Sequence, residues 1–290
     1  MSASRMHTRS SQSNRSNVYE DDSASILASE SEFARWATLV GLDPTIRSEI
    51  PQTHAFKIIL DMQNLSNRFP TWLTSRDSLQ FKFLPEGYQP FKDTLCSELK
   101  ELKDQDPGMF HEEEDLPLCG AIGSILQTCR HNSILRDYRN NPTEMDRRNT
   151  VDALLGHVCE SDKNLVVQYS NEQELKLPRA KVGCYNVTNT IVDGVMFVEV
   201  TAFKPYLANY EMQVAATALG PKTPKHLRVV HCVTGFKRSN GANQAIMGVV
   251  SGIYQKRILG VPGQFTFGVF QYQKSFLEIF AGIWRSDEVK

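Results

Sequence analysis

Apolar residues recur at helical spacing through the first third of the chain. In SEFARWATLVGL, Phe33, Trp36, Leu39 and Val40 fall on one stripe, and in HAFKIILDMQNLSNRF, Phe56, Ile59, Leu60 and Leu65 lie near one face. KDQDPGMFHEEED interrupts the pattern with a run of acids around a Pro-Gly turn and predicts an exposed connector. Beyond it, LPLCGAIGSILQTCR predicts an amphipathic helix. NPTEMDRRNTVDALLGHV predicts another, with Asn141 as N-cap, Pro142 in the first turn and Glu144 at the third position. Its buried stripe is expected to be Met145, Val151, Leu154, Leu155 and Val158.

The period then changes to two. NLVVQYS reads as a short strand. KVGCYNVTNTI and VMFVEVTAF flank Asp193-Gly194, a pair suited to the positive φ angles of a tight hairpin turn. Pairing Val192 with Val195 sets Glu199 opposite Thr188 and Thr201 opposite Asn186. HLRVVHCVTG predicts a strand and NGANQAIMGVVSGIYQKRI a helix, whose Gly248 and Gly252 allow close approach to a neighbour. FTFGVFQYQ and SFLEIFAGIW predict a final hairpin turning at Gln273-Lys274. The fold class expected is α/β (α+β), a mixed central sheet flanked by helices. Three regions follow: a disordered tail over 1–30, a helical region with its acidic connector over 31–115, and an α/β domain over 116–290.

Composition narrows the setting. The net charge of −1 gives no overall pull toward polyanions, but from Thr201 to Lys290 eleven Lys and Arg face four Asp and Glu. Such asymmetry suits a polyanion-binding face, or an attraction between two halves of the chain. The six cysteines, Cys96, Cys119, Cys129, Cys159, Cys184 and Cys232, form no CxxC pair and sit in apolar runs. Buried free thiols in a reducing compartment are expected, hence an intracellular protein of nucleus or cytoplasm. No apolar run approaches the roughly 18 residues of a membrane span, and MSASRMHTRSSQSNRSN lacks the apolar core of a secretory leader.

Several residues could carry chemistry. Glu199 is embedded in apolar sequence, so its burial would need a metal or cation, an ion pair with Lys181 or Lys204, or hydrogen bonds from Thr188 or Thr201. Glu144 borders a buried helix face on the line Glu144, Arg148, Val151, Leu155, although a capping box accounts for a Glu there equally well. In TGFKRSNGAN, Lys237, Arg238 and the following helix N-terminus could hold a phosphate, or form a solvated turn. His231 and Cys232 invite zinc, but His226 and His231 would point to opposite faces of a strand, and no HxxxH or CxxC accompanies them.

Taken in order, EMDRRNTVDALL, the hairpin with VEVT, NQAIMGVVSGIY and FTFGVFQYQKSFLEIFAGIW resemble the PD-(D/E)XK nuclease superfamily. The likeness is to its divergent group in fungal and Crinkler-like effector proteins, and it spans roughly Leu116 to Trp284. It implies a restriction-endonuclease-like sheet and Mg²⁺-dependent phosphodiester hydrolysis of nucleic acid. It also implies a site in which Glu199 and Glu144 hold the metal with Asn186 assisting, and in which Gln244 lies nearby. Where the family places an Asp, this chain offers Cys184 or Asn186. Where it places a Lys two residues after the acid, Thr201 stands, and Lys204 could serve only through a bulge. Two functions follow: a nuclease with a degenerate site, or a catalytically inactive nuclease-like module that binds nucleic acid or a protein partner.

Overall fold

Two sixteen-residue strands, β3 (Val167–Val182) and β4 (Tyr185–Val200), dominate the molecule. The structure, a computed structural model, describes residues 30–137, 142–161, 164, 166–200, 209–210, 213, 215, 219, 227–236, 241–261, 263–272 and 276–284. The expected N-terminal tail and the Gln273-Lys274 turn lie outside these residues, as do Lys204, Lys237 and Arg238.

The hairpin is not the one the Asp-Gly pair predicts. Val182 pairs with Tyr185 across Gly183-Cys184, and Gly183 takes the positive φ of 60° that the turn needs. Asp193 and Gly194 lie in mid-strand, with Gly194 opposite Asn171 on β3 and opposite Thr234 on the next strand. The stretch after NLVVQYS is polar and carries Pro178, which hides its strand character. It pairs along nearly its whole length, with a register shift between Lys176 and Ala180 that accommodates the proline.

Strand β5 (Leu227–Gly235) runs antiparallel to β4, β6 (Thr266–Tyr272) parallel to β5, and β7 (Phe276–Gly282) antiparallel to β6. The five strands lie in sequence order. A two-residue ladder, β1 (Phe69–Pro70) with β2 (Phe110–His111), stands apart. Six helices are described: α1 (Glu30–Leu39), α2 (Lys57–Ser66), α3 (Gln89–Gln105), α4 (Leu116–Asp137), α5 (Glu144–Glu160) and α6 (Gly241–Ile258). Connecting β5 to the parallel β6 requires a crossover, and α6 supplies it.

Helix α6 packs on one face of the sheet, and its glycines decide how closely. A Cβ on Gly248 would stand 2.8 Å from Val192 Cγ1, and one on Gly252 would stand 2.6 Å from Thr266 Cγ2. Gly248→Ala is therefore expected to lower stability by about 1–3 kcal/mol, although Ala is the better helix former. Urea denaturation would measure the loss, and an unchanged or raised midpoint would contradict the packing argument. Gln255, fully buried on the same helix, accepts from Val230 N and donates to Arg228 O and Ala215 O, so the register shift in β5 leaves these backbone groups satisfied.

Core boundaries do not follow the acidic connector. Phe33 and Trp36 of α1 pack with Leu177, Val182, Val187, Met247 and Val250 of the sheet and α6. Ile122 and Leu126 of α4 instead join Leu73, Phe81, Cys96 and Leu99 in the core of the N-terminal helices. Helix α4 also packs against α5, which lies on the sheet face opposite α6.

Candidate functional site

Helix α5 begins two residues later than the sequence suggests. Thr143 is the N-cap, its hydroxyl accepts from Asp146 N, and the Asp146 carboxylate accepts from Thr143 N. Glu144 is thereby the first helical residue rather than the third, and Asn141 lies outside the described residues. The buried face also differs. Met145 and Val158 are exposed, whereas Arg148, Val151, Asp152 and Cys159 are buried. An Arg and an Asp four residues apart replace apolar residues on the face turned to the sheet.

Arg148, 4% exposed, reaches three carboxylates. Its Nε lies 3.2 Å from Asp152 Oδ2, off the hydrogen-bonding axis. Nη1 donates to Asp193 Oδ1 at 3.3 Å and Nη2 to Glu172 Oε1 at 2.9 Å. Asp193 Oδ2 also accepts from Phe236 N at 2.5 Å, which ties the end of β5 to β4. Asp152 Oδ1 accepts from the Tyr169 hydroxyl at 2.5 Å. Removing the guanidinium would be costly, because neither buried acid can recover its solvation from water.

The backbone is shaped to bring these groups together. Val192 and Val195 both join the core beneath α6, so the strict alternation of β4 breaks between them. Asp193 and Gly194 both face the α5 side: Asp193 meets Arg148, and Gly194 leaves room for the Tyr169 and Thr234 hydroxyls. On β3, Glu172 stands opposite the break with a φ of 51°, which is strained for a non-glycine residue.

Burial sets the protonation chemistry. It pushes the Asp152 carboxyl above the ordinary range, against the Tyr169 hydrogen bond and the Arg148 charge, which pull it down. Burial, followed by the bond to Asp152, pushes Tyr169 up as well, so it remains a neutral donor. Gln244, at the start of α6, is 4% exposed and donates to Ile191 O, two residues before Asp193. Its Oε1 has no partner among the described residues.

The expected metal site does not assemble. Asn186 is exposed beside the Gly183-Cys184 turn and pairs in register with Lys181. Glu199 is half-buried near the other end of β4, with Arg228 as its register partner. They stand seven and six residues on opposite sides of Asp193, roughly 20 Å away in each direction, so one ion cannot bridge them. Glu144 lies a helical turn before Arg148 at the start of α5. Thr201, proposed opposite Asn186, is outside the described residues.

Magnesium does not fit the residues that do converge. Mg²⁺ needs several oxygens at roughly 2.0–2.1 Å around one point, and a guanidinium sits between these carboxylates. Among the described residues no three His, Cys, Asp or Glu are grouped to hold a metal ion. Sequence reading missed Asp152, Tyr169, Glu172 and Asp193. Arg148 lies on the helix line of Glu144, Val151 and Leu155, and the sequence pattern alone assigns it no role. The available signal was an Arg and an Asp spaced four apart among the apolar residues of one helix face. No family model, curated protein or solved structure matches the chain.

Proposed function

We propose that this chain is a nuclease-like α/β module without metal-dependent catalysis, and that it binds nucleic acid through its basic C-terminal third. The PD-(D/E)XK resemblance implies a helix, strands joined by a turn, a helix carrying Gln and then the strands of a final hairpin. The elements α5, β3, β4, β5, α6 and β6 follow it. Within that frame Gln244, buried at the start of α6, is the helix glutamine that the resemblance implies near the site.

The observation that carries the reading is the position of Arg148. Its guanidinium already bridges the acids of α5, β3 and β4 and neutralises part of their charge. A divalent ion would have to displace it or lie against its positive charge. The acids are thus used to fix α5 on the sheet, leaving no cation to activate water or stabilise a leaving oxygen. Net positive charge beyond Thr201 suits contact with phosphates, which requires no such chemistry.

Fluorescence anisotropy with labelled duplex and single-stranded oligonucleotides tests the proposal. Binding should weaken linearly in log–log form as salt rises, and neither Mg²⁺ nor Mn²⁺ should produce cleavage. Cleavage abolished by Asp193→Asn would overturn the non-catalytic reading. Absence of binding at low salt would overturn the nucleic-acid reading and leave the fold as a platform for a protein partner.

A further inference from the structure

The end of α6 holds two adjacent cations that the carboxylate cluster does not use. Lys256 is 6% exposed, and its ammonium donates to the Phe265 carbonyl and to Thr266 Oγ1. An ammonium has three donors, so these two bonds leave one over. Arg257 lies against the Trp284 ring, its guanidinium carbon 3.9 Å from the ring centre. Neither cation forms an ion pair among the described residues. His231 and Cys232, on β5, lie within electrostatic reach of Lys256. Burial, aided by Lys256, pushes His231 down, and burial pushes Cys232 up to about 12. Cys232 is therefore a neutral thiol at pH 7 and supplies no counter-charge.

These two cations line a cavity of about 310 Å³ whose other walls include Ile253, Val261 and Trp284. Gly260 and Gly263, with φ of 67° and 75°, turn the chain around its rim. Its size is at the small end of ligand sites, and an apolar wall with a few polar groups is their usual composition. A buried cation is ordinarily paired, and among the described residues that line this cavity none is an acid.

We propose that this cavity binds a small organic carboxylate with an apolar body. The carboxylate completes the charge of Lys256 and Arg257, and the body lies against Ile253, Val261 and Trp284. Lys256 and Arg257 belong to the basic C-terminal third, but this proposal rests on the cavity alone and not on nucleic-acid binding, so calorimetry with a small ligand can fail without touching that reading.

Calorimetry on the full chain with 4-phenylbutyrate, and with 4-phenylbutanol as its neutral counterpart, tests it. The acid should bind one to one and roughly tenfold more tightly than the alcohol, and Lys256→Met should remove that preference. Burial lowers the Lys256 amine to about 8, so it is charged at pH 7 and neutral at pH 9.5; affinity for the acid should fall across that window. Should Lys256→Met fail to fold, Arg257→Gln, on the same wall, should still weaken the acid selectively. Equal affinity for acid and alcohol, or no heat from either at millimolar concentration, would overturn the proposal. So would binding unchanged in whichever variant folds.

Discussion

Arg148→Met should destabilise the protein by about 3–5 kcal/mol at neutral pH, the loss typical of removing one partner from a buried ion pair. The variant keeps volume close to that of the arginine stem but leaves Asp152 and Asp193 buried without their guanidinium. The pH dependence distinguishes this cause from a packing defect. Burial already raises Asp152 above its ordinary value, and without Arg148 the opposing pull is lost. A carboxyl raised in the folded state binds its proton more tightly there than in the unfolded chain. Stability therefore rises as pH falls through the folded value, and levels off below the unfolded one. The deficit of Arg148→Met against the native chain should shrink on acidification, and a second change, Asp193→Asn, should recover part of it at neutral pH. Urea denaturation at several pH values reads both. A deficit under about 1 kcal/mol, or one independent of pH, would show that the cluster is electrostatically unimportant.

Gly194→Val is the second large effect, expected to cost about 3 kcal/mol. Strand propensity alone favours Val over Gly, so a mid-strand position would suggest a gain. Space decides otherwise: a Cβ would stand 2.7 Å from Thr234 Oγ1 and closer still to the Tyr169 hydroxyl. Crowding of this kind costs about 1–3 kcal/mol, and displacing Tyr169 from Asp152 adds about 1–3 kcal/mol for a buried polar group left unpaired. Gly194 does not have a positive φ, unlike Gly183, so the loss is steric rather than conformational. A double-mutant cycle separates the two. Gly194→Ala combined with Tyr169→Phe should cost less than the sum of the single changes, because removing the hydroxyl opens the space. Strict additivity would mean that Gly194 is needed for its backbone and would return it to a turn.

Much of the fold was legible because its signals are local. The α6 glycines, the period-two runs of β5, β6 and β7, and the helix at LPLCGAIGSILQTCR are each written in a window of about ten residues. Asp193-Gly194 misled because the same two residues that favour a turn also serve a strand break: Asp193 is drawn inward by Arg148 and the Phe236 amide, and Gly194 makes room for two hydroxyls. That preference is settled by residues 45 and 43 positions away along the chain, which no local pattern reveals. The candidate site was misplaced for the same reason. With the turn moved to Gly183-Cys184, Asn186 and Glu199 separate to opposite ends of β4, and the acids that converge are ones the assumed hairpin had placed at its tip or left aside.

The central claim is that Arg148 takes the place of a metal ion among Asp152, Glu172 and Asp193. Isothermal titration of the native chain with Mg²⁺ and then Mn²⁺, with a plasmid and a single-stranded substrate incubated in parallel, tests it most directly. The account predicts no saturable heat at millimolar metal and no cleaved product. Saturable metal binding together with cleavage, both lost in Asp193→Asn, would contradict it.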